Sequence, residues 1–231
     1  MKIFLDSANA HEIESWLREG VVDGVTTNPS IMLKDGVYDI EEGARQIAST
    51  LGDRPLSVEV TSNDCSEMIR QAREFSRWGR NVAVKIPIIN EFGESSLSVI
   101  STLRSEGIAV NVTAILSFNQ AVLATKAGAT YVSIFAGRVA DEGGDPAVVI
   151  CNVRKWLDQW GYSTEIIVGS IRSVMDVQSA ALAGAHIITI PPQFLGKMLD
   201  HKYTRETVRQ FVADAEKAMD QIVSARAAAA S

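Results

Sequence analysis

Eight short apolar runs punctuate the chain, at 2–6, 24–28, 56–60, 82–87, 109–115, 131–137, 165–170 and 186–191, most of them rich in the β-branched residues that favour strands. Between them, the segments 9–19, 39–51, 64–78, 94–106, 118–127, 146–160 and 174–183 repeat apolar residues at helical spacing. Glycine follows many of these segments, at Gly20, Gly79, Gly107, Gly128, Gly161 and Gly184, and Asp64 with Glu67 three positions on has the form of a helix start. Strands alternating with helices imply parallel βαβ units, and eight such units close into an α/β fold, the (β/α)8 TIM barrel. From about 204 to 225 the pattern changes. Val208, Phe211, Val212, Ala215, Met219, Ile222 and Val223 stand at clean helical spacing and predict a long C-terminal helix. That helix either completes the outer ring or reaches a neighbouring subunit. The alanine-rich run at 227–230 carries little information.

A chain of 231 residues suits one barrel or two small domains, and no linker favours two, so a single domain over 1–231 is expected, with the C-terminal helix part of it. The 22 basic residues are outnumbered by 28 acidic ones and nowhere clustered, which disfavours nucleic acid as a partner. Cys65 and Cys151 show no metal-type spacing and suit a reducing cytosol; His11, His186 and His201 are scattered, so no metal or other cofactor is expected. Lys2 runs straight into an apolar strand without a signal peptide's pattern, and nothing later approaches membrane-span length. A soluble, cytoplasmic protein without a membrane partner is expected.

Chemistry enters with Val82-Ala83-Val84-Lys85-Ile86-Pro87. This run reads as a strand buried on both faces, interrupted by one lysine. Either Lys85 snorkels to solvent, or desolvation holds it partly neutral and able to attack a carbonyl. Its company bears on the choice. In a (β/α)8 barrel reactive side chains stand at the C-terminal strand ends, and the polar residues gather there: Asp6, then Thr26, Thr27 and Asn28, then Glu59, Asn111 and Thr113, Ser133, Phe135 and Arg138, and Ser170 and Arg172. Singly, each has an ordinary reading. Asn28 before Pro29 could start a loop, Asp6 could cap the first helix, and either arginine could pair with Asp141 or Asp176. Together they suit Schiff-base chemistry. Lys85 would form an imine with a ketose, Asp6 would deprotonate the hydroxyl beyond the breaking bond, and Glu59 with Thr113 would shuttle protons through water. Asn28, Asn111 and Ser133 would hold the hydroxyls of a small polyol, and Arg138 and Arg172 a phosphate. The Asn111-Val112-Thr113 triplet matches a glycosylation acceptor, but its place in a barrel strand assigns it to the site lining.

Asp6, the stretch Gly24-Val25-Thr26-Thr27-Asn28-Pro29-Ser30, Ser57-Val58-Glu59-Val60, Val84-Lys85-Ile86-Pro87, Asn111-Val112-Thr113, Ser133-Ile134-Phe135-Ala136-Gly137-Arg138 and Gly169-Ser170-Ile171-Arg172 together resemble the signature segments of the transaldolase family, in order and over nearly the whole chain. The length resembles its short members, transaldolases and fructose-6-phosphate aldolases. The resemblance implies Lys85 as Schiff-base lysine, Asp6 and Glu59 as acid/base groups, Arg138 and Arg172 as phosphate ligands, and sugar phosphates of the pentose phosphate pathway as substrates. It also implies a homo-oligomer, a pentamer or decamer, with the C-terminal helix crossing to a neighbour. In the family, aldolases tend to carry glutamine at the position of Glu59 and tyrosine at that of Phe135, and lack the asparagine at that of Asn111. The residues here favour transfer over cleavage. The rivals are an aldolase acting on fructose 6-phosphate or a related ketose, and a barrel that binds sugar phosphates without turnover.

Overall fold

A computed structural model describes residues 1–229; Ala230, the last of the alanine-rich run, and Ser231 lie outside the described residues. Eight parallel strands form a closed barrel in sequence order: β1 (Lys2–Asp6), β2 (Gly24–Thr26), β3 (Leu56–Glu59), β4 (Val82–Pro87), β5 (Val110–Ile115), β6 (Tyr131–Phe135), β7 (Glu165–Gly169) and β8 (Ile187–Ile190), with β8 pairing back onto β1. The helices between them are α1 (Ala10–Arg18), α2 (Pro29–Lys34), α3 (Ile40–Leu51), α4 (Cys65–Phe75), α5 (Leu97–Ser105), α6 (Phe118–Ala127), α7 (Ala136–Asp141), α8 (Pro146–Trp160) and α9 (Val174–Leu182). This is the (β/α)8 TIM barrel that the alternating pattern predicts.

The ends of these elements follow local chemistry. Asn9, Asp39, Asp64, Ser117 and Ser173 each accept a backbone N–H at a helix start, so Asp64 caps as expected and Asp6 does not cap α1. Gly128 and Gly161 end α6 and α8 in the left-handed conformation, whereas Gly79 has no positive φ: a side chain there would strike Ala48 and Asn81. Most expected boundaries shift by at most a residue; the expected helix 64–78 ends at Phe75, and three other shifts have local causes. The strand expected at 24–28 stops at Thr26 because Asn28 caps α2 and Pro29 occupies its first turn. The strand expected at 131–137 stops at Phe135, where α7 begins. The helix expected from 94 starts at Leu97 because Ile89 and Ser95 form an antiparallel bridge ahead of it.

Inside the barrel the lower layer is apolar. Phe4, Ala83, Tyr131, Ile167 and Ile187 form one buried cluster, with Ala109 packed against it. Gly24 makes room for it, since a β-carbon there would lie 2.6 Å from the Phe4 ring. Truncating a fully buried phenylalanine such as Phe4 typically costs about 3–5 kcal/mol.

The chain divides into two compact units, Met1–Pro192 and a second from Gln193 onward. The second comprises nearly all of α10 (Pro192–Leu199) and the 28-residue α11 (Lys202–Ala229), about 42 Å long at the usual helical rise. The helix is longer than the 204–225 that its periodicity marks, and Val208, Phe211, Val212, Met219, Ile222 and Val223 are exposed along it. No helix among the described residues is long and apolar enough to cross a membrane.

Candidate active site

Two residues beyond the apolar layer, the same strands carry polar or small residues: Asp6 after Phe4, Lys85 after Ala83, Asn111 after Ala109, Ser133 after Tyr131, Gly169 after Ile167 and Thr189 after Ile187. Side chains repeat every two residues along a strand, so each pair faces the same way and the polar layer stands on the apolar one. One cavity is lined by Asp6, Thr26, Asn28, Lys85, Asn111, Ser133, Phe135, Arg138, Gly169, Ser170 and Thr189.

The parallel register sets Lys85 beside Glu59 on one side and Asn111 on the other. Lys85 does not snorkel. It is 6% exposed, its Nζ lies 2.8 Å from Glu59 Oε2, and it donates to the Thr27 carbonyl at 3.2 Å. A buried amine needs such partners, because losing its water without replacement is expensive. Glu59 is not among the residues that line this cavity, and it meets the site through its ion pair with Nζ.

Asp6 shares the cavity. Thr26 Oγ1 donates to Asp6 Oδ1 at 2.7 Å. Burial holds the Asp6 carboxyl above its ordinary pKa, opposed in turn by the Thr26 hydrogen bond and the Lys85 charge. Asn28 spends its Oδ1 on the α2 cap at 2.8 Å, which leaves its amide hydrogens for the cavity it lines. Asn111 donates to Ser57 Oγ at 3.0 Å and accepts from Ser133 Oγ at 2.7 Å. That relay, buried throughout, fixes which face each amide atom presents.

Besides Glu59, three further expected residues stand elsewhere than in the cavity wall. Thr27 is fully buried and its hydroxyl donates to the Ser57 carbonyl, so its backbone rather than its side chain serves the site: strand alternation turns Thr26 inward and Thr27 away. Thr113 is buried and its Oγ1 has no hydrogen-bond partner among the described residues; with Ala114, at φ +58, it lies within a register irregularity of β5 between Val112 and Ile115. Arg172 lines a neighbouring cavity with Gly137, Pro146 and Asp176. Its guanidinium grips Asp141 with both terminal nitrogens, one at 2.7 Å to Oδ2, and Arg138 Nη1 lies 3.8 Å from the same carboxylate. This hydrogen bonding holds the Asp141 carboxyl below its ordinary pKa. Ser170 precedes Arg172 at φ +60, a left-handed conformation that costs a residue with a β-carbon roughly 1–2 kcal/mol.

Sequence reasoning named neither Ser57 nor Thr189 as part of the site. Ser57 orients Asn111, and Thr189 touches Thr26 through its hydroxyl. For Thr189 a signal existed: Ile187 to Thr189 is the same apolar-to-polar step at spacing two that marks Phe4 to Asp6 and Ala83 to Lys85.

Fold and site thus define a (β/α)8 barrel with a buried amine and two carboxylates at the C-terminal strand ends. The chain belongs to the Transaldolase/Fructose-6-phosphate aldolase family, whose profile matches residues 3–230. It is similar to proteins named "Probable transaldolase" from Lactiplantibacillus plantarum, 43% identical over 93% of this chain and 96% of the relative, and Dehalococcoides mccartyi, 41% identical over 93% and 97%. Another, from Streptococcus equi subsp. zooepidemicus, is 44% identical over 93% and 97%. Among solved structures, a Pediococcus acidilactici lactate oxidase aligns with a TM-score of 0.56 at 16% identity, over 82% of this chain and 62% of that one, and shares the barrel fold alone.

Proposed function

We propose that the protein is a transaldolase that moves a three-carbon dihydroxyacetone unit from sedoheptulose 7-phosphate to glyceraldehyde 3-phosphate, giving erythrose 4-phosphate and fructose 6-phosphate. The observation that carries this reading is Lys85, a buried amine held by Glu59 in a cavity it shares with Asp6. Glu59 takes a proton from the ammonium across 2.8 Å, and Nζ attacks the ketose carbonyl. The carbinolamine loses water to give an iminium on Lys85, with Glu59 and a water held at the Thr113 hydroxyl moving the protons. Asp6 then removes the proton from the C4 hydroxyl. The C3–C4 bond breaks, its electron pair passes to the iminium to form an enamine, and the aldehyde leaves. The acceptor aldehyde enters, the enamine carbon attacks its carbonyl, Asp6 returns the proton to the new hydroxyl, and hydrolysis frees Lys85. Arg138 at the cavity wall takes the substrate phosphate, and Arg172 joins it by exchanging Asp141 for a phosphate oxygen.

Phe135 lines the cavity with a ring that cannot donate a hydrogen bond to a water at the enamine, which favours transfer over protonation and release. Fructose 6-phosphate supplied with and without erythrose 4-phosphate tests this directly by product chromatography. Sedoheptulose 7-phosphate with negligible free dihydroxyacetone is expected. Dihydroxyacetone released at the same rate without the acceptor would make the protein a fructose-6-phosphate aldolase, and binding with no product would make it a sugar-phosphate-binding barrel. The same reading takes the protein as a cytoplasmic homo-oligomer, pentamer or decamer; the exposed apolar side chains of α11 support the assembly.

A further inference from the structure

Thr189, on the last strand, lines the cavity, and its hydroxyl meets that of Thr26. The direction of that contact follows from counting protons. A threonine hydroxyl has one hydrogen, and Thr26 gives its own to Asp6 Oδ1. With Asp6 ionised, Thr26 can therefore only accept from Thr189. The chain runs Thr189 to Thr26 to Asp6, and each donation strengthens the next. Thr189 is buried at 7% exposure and stiff about its first side-chain torsion, and its methyl occupies the space over Gly169, 3.4 Å from where a β-carbon would stand. That packing points its hydroxyl at Thr26. Asp6 Oδ2, in contrast, has no hydrogen-bond donor among the described residues.

We propose that Thr189 is a positioning residue for the bond-cleaving base: by donating to Thr26 it commits the Thr26 proton to Asp6 Oδ1 and leaves Oδ2 as the oxygen that takes the substrate hydroxyl proton. This rests on the reading of Asp6 as that base. Without the Thr189 donor the Thr26 hydroxyl is free to turn, the hydrogen bond that favours ionised Asp6 weakens, and its carboxyl titrates at higher pH. The charges facing Asp6 are Lys85 from β4, Glu59 from β3 and Asp35 from the end of α2, and none of them is altered by substitution at 189.

The test is Thr189→Val, which keeps the shape and removes the hydroxyl, beside Thr189→Ser, which keeps the hydroxyl. For Thr189→Val, kcat is expected to fall about 3- to 10-fold, the scale of one hydrogen bond, and the acid limb of the kcat/KM profile to move upward by a few tenths of a pH unit, a fraction of that scale because the Thr26 hydrogen bond to Asp6 weakens without being lost. Thr189→Ser is expected to keep the wild-type limb. A Thr189→Val limb that does not move, or a Thr189→Ser protein that behaves like Thr189→Val, overturns the proposal. Borohydride trapping on Lys85 and the Asp6→Asn profile tell the levels apart. An adduct in all three proteins, a wild-type acid limb that Asp6→Asn removes and an unmoved Thr189→Val limb reject only the role of Thr189; a limb that survives in Asp6→Asn removes Asp6 as the base, no adduct in the wild type removes the Schiff-base reading, and this proposal falls with either.

Discussion

Replacing Lys85 by methionine is expected to lower transfer activity by about 10³-fold or more, because the proposed mechanism routes its covalent step through this amine. Borohydride with fructose 6-phosphate should add mass to the wild-type protein at Lys85 and none to the variant. The fold should survive. Methionine approximates the lysine stem in volume, and the pair it breaks leaves Glu59 unpaired but 27% exposed at its side chain, where water can serve it. Circular dichroism and a melting curve near those of the wild type are therefore expected alongside the loss of turnover. Activity near wild type in a folded Lys85→Met protein would sink the assignment of the nucleophile.

Asp6→Asn separates imine formation from bond cleavage. An amide cannot take the hydroxyl proton but can still accept from Thr26, so trapping at Lys85 should persist while kcat falls roughly 10²- to 10⁴-fold, the range of a lost general base. In the wild type, burial raises the Asp6 carboxyl above its ordinary value, so the base form disappears as pH falls through that raised value, and activity falls with it. Stability runs the other way. The folded state binds this proton more tightly than the unfolded chain, so the contribution is fully present below the unfolded pKa and is lost as pH rises through the folded one. Ionised Asp6 is thus a cost to the fold at neutral pH. Asp6→Asn should melt higher than the wild type at pH 7, with the difference closing in acid below the unfolded carboxylate value. A lower melting point at pH 7 would mean that the attraction of the Lys85 charge and the Thr26 hydrogen bond outweigh burial, and an unchanged kcat would remove Asp6 from the chemistry.

Most of the barrel could be read along the chain because each strand is a local apolar run and most of the longer helices between strands start at a side-chain cap. The elements the sequence hid are short. α2 and α7 have six residues each and α10 eight, too few to show a clear helical period, and each starts inside or directly after an apparent strand end. Among the site residues, those that carry unusual chemistry for their setting stood out: a lysine in a β-branched run, acids at strand ends. What stayed hidden depends on closure. Thr26 and Thr189 lie 163 residues apart and meet only because β8 returns to β1. The use of the Thr27 carbonyl rather than its hydroxyl turns on the pleat, and the sharing of Asp141 by Arg138 and Arg172 turns on how α7 is laid against β7, neither of which residue type encodes.

The apolar layer of Phe4, Ala83, Tyr131, Ile167 and Ile187 makes the barrel a cul-de-sac. Reactants and products of the proposed transfer would share the doorway at the C-terminal strand ends, since among the described residues the buried apolar cluster closes the floor. The first aldehyde must clear that doorway before the second can reach the enamine. In the proposed reaction traffic is therefore sequential, and the covalent link to Lys85 would be what keeps the three-carbon fragment from leaving with the first departing product.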